Sequence, residues 1–344
     1  MPSFPRLIYN NKFDLPSLPP PDTFKDQTIL ITGATGGLGL ATAVHFVNLG
    51  ASTVIITGRT SSKCEAAKTE IESQTGTQGK DMVKIMELDM STFAGVKVFA
   101  DQVKKEVKSI DYVLLNAGMM STSFRLGKEG FEESIEINTL STALLALLLL
   151  PWMKEVGKGK AHLGVVTSGL HRGELDITPP NFPQTNILTH YNTPQNYPKG
   201  TSGIYPINKL LTQYCIREIS KLALGPDGTP QVIVNPMCPG MVKSDLGREY
   251  KTNILTSFLV DSFMTLVSKT TEGGARTLVL AALTTKEENG MHYTNYMGRE
   301  EYEKIVQKNV LGPEGQKMQA EVWKEVIAVL GERVPEVKGI VGGA

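Results

Sequence analysis

Short, near-continuous apolar runs alternate with longer amphipathic segments along most of the chain. TILIT (28–32), STVIITG (52–58), MVKIMEL (82–88), DYVLLN (111–116), AHLGVVTS (161–168) and QVIVNPM (231–237) read as strands. Helix-length stretches lie between them: LGLATAVHFVNLG, stopped by Gly50, a polar helix over 61–75, and helices over 92–108, 129–153 and 203–224. Strand and helix alternate at the spacing of βαβ units. The strands lack the in–out alternation of a sheet with one wet face, which predicts helices on both faces of a parallel sheet. The pattern therefore predicts a doubly wound α/β fold of three layers around a central parallel sheet. Further along it predicts helices over 247–267 and 271–284, a last strand at 291–295, and two helices in the tail from 299 to 330.

Three segments depart from this rhythm. The proline-punctuated start, MPSFPRLIYNNKFDLPSLPPPDTFKDQ, has no unbroken apolar stretch and is not expected to act as a signal peptide. Residues 1–25 are expected to form an extended arm lying on the domain. Residues 171–201 are rich in proline and asparagine and have little periodicity. A loop of that length in a compact domain is usually functional or disordered. This one leaves the carboxyl edge of the sheet, where α/β proteins bind ligands, and is expected to cover a substrate. INTLSTALLALLLLPWM (137–153) is the most apolar stretch, slightly short of the roughly 20 residues that span a bilayer. It is expected to be a buried central helix, with no stable membrane insertion. The chain then divides into the arm, one catalytic domain over 26–298, and a helical extension over 299–344 packed on it.

Composition narrows the function. Of 344 residues, 41% are hydrophobic and 20% charged, which leaves ample material for a core. The 35 basic residues balance 35 acidic ones, so a nucleic-acid partner is not expected. Cys64, Cys215 and Cys238 are widely spaced and form neither a disulfide framework nor a zinc pattern, which suggests a cytoplasmic protein. The histidines show no metal-ligand spacing and no metal is expected; His45, His162 and His292 read as structural.

Thr32-Gly33-Ala34-Thr35-Gly36-Gly37-Leu38-Gly39 falls directly between the first strand and the first helix. One glycine permits the tight turn, another lets backbone approach a phosphate, and a third lets helix and strand pack closely. The free N–H groups and the positive helix end then face a pyrophosphate. A lone glycine cluster is weak evidence, but this strand–turn–helix context marks a dinucleotide site. The second strand ends at Thr57-Gly58-Arg59, with no carboxylate to accept ribose hydroxyls. The guanidinium fork of Arg59 suits a 2′-phosphate, so NADP(H) is expected over NAD(H). Asp89, followed by Met90, is placed to accept the adenine amino group, and it is also a good helix N-cap.

Tyr205 and Lys209 stand at i and i+4 and share one helix face. An ammonium so placed favours phenolate and is expected to lower the tyrosine pKa from about 10. Ser168 ends the fifth strand at the same edge, and Asn138 needs a partner if it is buried in its apolar helix. In order, TGATGGLG, Asp89, Asn116-Ala117-Gly118, Asn138, Ser168, Tyr205-Pro206-Ile207-Asn208-Lys209 and Pro239-Gly240 resemble the short-chain dehydrogenases/reductases over about residues 26 to 295. The arm, the insertion and NPMCPGMVKSDLGR look most like the retinol-dehydrogenase-like and fungal biosynthetic branch.

The resemblance implies a Rossmann-type fold and a catalytic set of Tyr205, Lys209, Ser168 and Asn138. Tyr205 would act as acid and base, Ser168 would hydrogen-bond the substrate oxygen, and Lys209 would hold the nicotinamide ribose. Asn138 would hold a water linking Lys209 to solvent. Asn116, Ala117 and Gly118 would form the floor under the adenine ribose. Pro239-Gly240 would turn beside the nicotinamide, with the Val242 backbone at its carboxamide. Ser244 stands where the family usually has a threonine. The Ser168-to-Tyr205 interval is 37 positions, against about a dozen in the basic plan, which implies a specialised, covered substrate site.

The expected activity is NADPH-dependent interconversion of a carbonyl and an alcohol on a medium-to-large apolar molecule, such as a ketone of secondary metabolism. The alternative is a non-redox acid–base catalyst on the same fold, since fold does not set function. Met119, Met120, Phe124, Met241 and Phe258 are candidates to line an apolar pocket. His171, Tyr191 and Tyr197 are candidates to touch substrate. Family members often dimerise through the helices that here span 129–153 and 203–224, so a homodimer is expected unless the insertion or extension blocks it.

Overall fold

Most strands of the central sheet are apolar on both sides because helices cover both sides. The structure is a computed structural model that describes residues 4–172, 175–178, 181–199, 202–250 and 254–343. Parts of the expected arm, insertion, 247–267 helix and extension, at 1–3, 173–174, 179–180, 200–201, 251–253 and 344, lie outside these residues. The strands are β1 (Thr28–Ile31), β2 (Thr53–Gly58), β3 (Val83–Glu87), β4 (Tyr112–Leu115), β5 (His162–Val166) and β6 (Ile233–Met237). They lie in the order β3-β2-β1-β4-β5-β6, and every neighbouring pair is parallel. The chain winds outward in both directions from β1, so a crevice opens beyond the carboxyl ends of β1 and β4.

Successive strand residues feed different cores. Ile29 and Ile31, Val54 and Ile56, and Tyr112 and Leu114 join the core under α2 (Gly37–Asn48), α3 (Ser61–Thr75) and α8 (Thr271–Leu280). Leu30, Ile55, Val113 and Leu115 join the core on the opposite face. That face carries α4 (Phe93–Glu106), α5 (Glu133–Val156) and α6 (Tyr205–Leu222). The apolar segment of α5 is long and apolar enough to cross a membrane, but 89% of its most apolar window is buried inside the protein.

The tail adds α9 (Arg299–Ile305), α10 (Pro313–Arg333) and α11 (Glu336–Gly342), one helix more than expected. Met318, Val322, Val326, Leu330 and Val337 belong to the same core as α5 and α6. α10 lies against α6, where Arg217 donates to Gln319 at 2.8 Å, and α11 lies against α5. The insertion packs into this core too, through Ile177, Phe182, Ile187, Leu188 and Tyr191. Its one-turn helix, Ile187–Tyr191, is capped by Glu325 of α10, which accepts from the Ile187 and Leu188 amides at 2.9 Å each.

Several expectations are corrected. Residues 4–12 form a helix, α1 (Phe4–Lys12), rather than an extended arm. It is anchored because the Asn11 amide donates to the Val267 carbonyl at 2.8 Å and Lys12 donates to Thr265 at 2.7 Å, at the end of α7 (Ile254–Val267). The last strand at 291–295 shrinks to one parallel bridge between Tyr293 and Met237. The helix expected to begin at 129 begins at Glu133, because residues 126–132 close a small loop bridged by Leu126 and Glu132.

The shared core predicts that the extension contributes to global stability. Leu330 is fully buried, so Leu330→Ala is expected to cost about 2–5 kcal/mol in chemical denaturation. Val98→Ala, at a 68% exposed position, is expected to change stability by less than about 0.5 kcal/mol. Equal, small effects would show that α10 is not part of the cooperative unit.

Candidate active site

The glycine-rich turn is shaped by close backbone approach. Gly33 has φ +66°, and a Cβ there would stand 2.9 Å from the Ala117 Cα. A Cβ on Gly39 would stand 2.6 Å from the Gly33 carbonyl oxygen and 2.7 Å from the Asn116 amide nitrogen. Asn116 locks the turn by donating to the Thr32 carbonyl at 2.9 Å and to that of Gly33 at 3.2 Å. The Thr32 hydroxyl accepts from the Asn116 and Ala117 amides at 3.0 Å each. Thr35 packs on Gly58 at the end of β2, and Leu38 packs on Gly274 of α8. No side chain caps the N-terminus of α2, and the space where a Gly36 Cβ would lie is open. Open amides on a positive helix end fit the pyrophosphate of a dinucleotide.

Past the ends of β2 and β3, Arg59 and Asp89 line one cavity of about 380 Å³. The Asp89 carboxylate accepts from Ser91 N–H at 3.0 Å and Ser91 O–H at 2.6 Å, and pairs with Lys128 at 3.2 Å. Burial alone would raise its pKa, but these donors outweigh burial and hold it below the usual range. Thr92, not Asp89, is the N-cap of α4. Met90 is buried in the core beneath this end.

The reaction end converges on the carboxyl edge of β5. Ser168 caps a 3₁₀ turn after β5, where its hydroxyl accepts from the Leu170 amide at 3.3 Å, and the buried Tyr205 phenol at the start of α6 lies beside that hydroxyl. Lys209 donates to the Val166 carbonyl at 2.8 Å, and its ammonium lies 5.7 Å from the Tyr205 ring centroid. Gly118 fits between the Lys209 ammonium and the Asn138 oxygen, 3.8 Å and 3.0 Å from where its Cβ would lie. Asn138 sits in a π turn of α5, Glu136–Ser141, a distortion often found at functional sites. Its carboxamide is satisfied by the Met119 N–H at 2.9 Å, the Met119 carbonyl at 2.8 Å and Asn208 at 3.2 Å.

Burial pushes the Tyr205 phenol well above its usual pKa, with Cys238 adding to the rise and the nearby Ser168 hydroxyl opposing it. Burial also brings Lys209 down to about 8. The expected lowering of the tyrosine pKa is therefore not seen here. Lys209 is turned to the Val166 carbonyl, and desolvation of both groups dominates.

The segment after β6 returns over the glycine-rich turn. Gly240 has φ +87° and lies against the Tyr296 ring, 3.4 Å from where its Cβ would be. Val242 packs on Gly274, and the Ser244 Cβ would lie 3.8 Å from a Cβ on Gly37. Pro239 is held by Lys269, which donates to the Pro239 carbonyl at 3.1 Å and to Asn295 at 3.0 Å. Cys238 accepts from the Gly169 amide at 3.0 Å and the Tyr296 hydroxyl at 3.2 Å, so its sulfur ties this segment to the Ser168 turn. Lys269 and Tyr296 carry no motif and sequence reasoning missed them, and it read Cys238 only as an unpaired cysteine.

A family model described as "short chain dehydrogenase" matches residues 27–169. Short-chain dehydrogenase/reductase phmF of Phaeosphaeria nodorum is 34% identical over 94% of this chain and 92% of its own length. The chain belongs to the short-chain dehydrogenases/reductases. Short-chain dehydrogenase/reductase ffsI of Aspergillus flavipes is 32% identical over 94% of this chain and 91% of its own. The solved structure of L-sorbose reductase from Gluconobacter frateurii, complexed with NADPH and L-sorbose, shares the fold. It has a TM-score of 0.57 at 18% identity and covers 80% of this chain and 97% of that one. This family consists of oxidoreductases that bind a nicotinamide cofactor.

In this short-chain dehydrogenase/reductase the Ser168 turn is supported from below by a side chain of the extension. His171 is fully buried, with its ring nitrogens bonded to the Ser168 carbonyl and, at 2.9 Å, to the Tyr302 hydroxyl on α9. His292 stacks on Tyr302 with ring centroids 4.7 Å apart. The structure thus places His171 in packing, not at a substrate surface. Tyr191 is buried against Phe182, whereas Tyr197 meets Phe124 and donates to the Ser121 carbonyl at 2.9 Å. Phe258 is 67% exposed on α7. His45 and His162 lie against the backbone carbonyls of Glu272 and Thr284.

Burial holds His171 neutral, with its pKa lowered from 6.5 to about 3. The unfolded chain binds that proton near pH 6.5 and the folded chain only near 3. Its stabilising contribution is therefore complete above pH 6.5 and is lost progressively as pH falls towards 3. Denaturation midpoints of wild type and His171→Gln from pH 7.5 to 5 check this. The variant is expected to show a slope shallower by up to about 1.4 kcal/mol per pH unit. Parallel profiles would show that His171 does not titrate on unfolding.

Proposed function

We propose that this enzyme is an NADP(H)-dependent oxidoreductase that interconverts a carbonyl and an alcohol on a medium-to-large apolar molecule, with ketone reduction in fungal secondary metabolism as its setting. The observation that carries the reading is the convergence of Ser168 with the buried Tyr205 and Lys209 at the carboxyl edge of the sheet. When bound, the nicotinamide supplies the hydride. Tyr205 holds the proton: a phenol kept neutral by burial is a donor suited to a nascent alkoxide, and in the oxidative direction it accepts the proton back. Ser168 orients the substrate oxygen against that phenol. Lys209 holds the nicotinamide ribose and favours phenolate once the proton has left. Asn138 fixes the Met119 backbone next to Lys209 and holds the water that connects it to solvent.

NADP(H) is supported by Arg59, an exposed cation with no hydrogen-bond or ion-pair partner among the described residues, at the end of a β2 that carries no carboxylate there. An apolar substrate is supported by Met119, Met120 and Met241, which flank Gly118 and Gly240 at the site. Three free thiols suit a cytoplasmic setting. α10 and α11 cover α6 and α5, the helices of the family-type dimer, which supports a monomer.

Tyr205→Phe is expected to lower turnover at least about 100-fold while leaving NADPH affinity within about threefold. Steady-state kinetics and fluorescence titration of NADPH check the two parts. NADPH deuterated at either C4 position, incubated with protein and a small-molecule extract, tests the reaction class. A product gaining one deuterium supports carbonyl reduction. A changed metabolite without deuterium or NADPH loss would replace the proposal with non-redox acid–base chemistry.

A further inference from the structure

The cavity that holds Arg59 has a second cation that no motif announces. Lys128 also lines it, on the small loop between β4 and α5, together with the carboxylates of Asp89, Glu133 and Glu136; Glu133 is paired with Arg125 at 2.9 Å and Glu136 is taken up by a loop amide. The loop is firmly built. The Gly127 amide donates to the Phe131 carbonyl at 2.7 Å. Glu136 of α5 turns its carboxylate into the loop and accepts from the Glu129 amide at 2.9 Å. The Glu129 carboxylate accepts from the Phe93 amide at the start of α4 at 2.8 Å. From the insertion, Asn192 donates to the Gly130 carbonyl at 2.7 Å. A loop held from three directions presents the one long cationic side chain at its tip to the cavity. That side chain is 63% exposed and pairs with Asp89, itself 39% exposed, at 3.2 Å. An ion pair this exposed contributes little and is readily exchanged for a better anion.

We propose that Lys128 is the second cation of a clamp for the 2′-phosphate of the adenosine ribose, closing on it opposite Arg59 by exchanging Asp89 for the phosphate. The exchange has a consequence for Asp89. Its Oδ1 stays bound to Ser91, while Oδ2 is released and becomes an acceptor for the adenine amino group. Phosphate recognition and adenine recognition are thereby coupled through one carboxylate. Arg59 supplies a planar fork and Lys128 a mobile point charge, so the two are complementary rather than redundant. This inference rests on the NADP(H) reading above, and its test separates the two.

The probes are 2′,5′-ADP, which carries the phosphate, and ADP, which lacks it, titrated calorimetrically against wild type, Arg59→Ala, Lys128→Ala and Lys128→Arg. Wild type is expected to favour 2′,5′-ADP, and Lys128→Ala to weaken that probe about tenfold. ADP affinity is expected to change less than about twofold, and Lys128→Arg to restore most of the loss. If wild type does not favour 2′,5′-ADP, the NADP(H) reading falls and this one with it. If wild type and Arg59→Ala behave as expected but Lys128→Ala leaves 2′,5′-ADP unchanged, or weakens both probes equally, only the clamp is overturned. Lys128→Ala combined with Asp89→Asn closes the remaining route. Full recovery of 2′,5′-ADP affinity there would show that Lys128 only neutralises Asp89, which also overturns the clamp.

Discussion

A parallel sheet buried on both faces leaves polar side chains almost nowhere to go except its ends. In this protein Ile29, Leu30 and Ile31 point alternately into two cores, and neither core admits an unpaired polar group at low cost. The chemistry is therefore pressed to the carboxyl edge, where each strand gives way to a turn. Thr32 follows β1, Arg59 follows β2, Asp89 lies just past β3, Asn116 follows β4 and Ser168 lies just past β5. The winding order, with β1 at the centre and successive strands added on both sides, sets these turns in one row. The row runs from Asp89 past β3 and Arg59 after β2 to Ser168 past β5.

Electrostatics at the reacting end follow from the same burial. Lys209 and Lys269 are both buried, and among the described residues neither forms an ion pair. Their ammonium groups are held instead by carbonyl dipoles at Val166, Pro239 and Asn295, and burial brings each down to about 8. A cation satisfied by dipoles keeps its charge available for an anion that develops later, which a carboxylate partner would cancel. The adenosine end is arranged differently. Arg59 and Lys128 are exposed there, and the Lys128–Asp89 pair is open to solvent and contributes little.

The insertion and the extension are what set this chain apart from the plainer family plan. Both bury apolar side chains in the core shared by α5 and α6, and each braces the other through Glu325. Tyr302 of α9 reaches the His171 ring under the Ser168 turn, so the extension also supports the backbone that carries a proposed catalytic hydroxyl. Asn192 of the insertion steadies the Lys128 loop at the far end of the cleft. Elements remote in sequence thus hold both ends of the site.

The periodicity of TILIT, STVIITG and their successors was enough to specify six strands, the helices between them and the glycine turn. Those features depend on local spacing and on which faces must leave water. The order of chemistry-bearing residues was legible for the same reason, since each follows its own strand. The helix at residues 4–12 was not legible, because its stability comes from Asn11 and Lys12 meeting the end of α7, more than 250 positions away. The raised Tyr205 pKa was not legible either: spacing puts Lys209 one turn away, but burial decides which charge is tolerated. Lys128, Lys269 and Tyr302 sit in sequence contexts that carry no pattern at all, and Cys238 was legible only as a neighbour of Pro239-Gly240. Their place at the site is set only when distant segments converge, because a hydrogen bond or a shared cavity depends on distance in space and leaves no period in the chain.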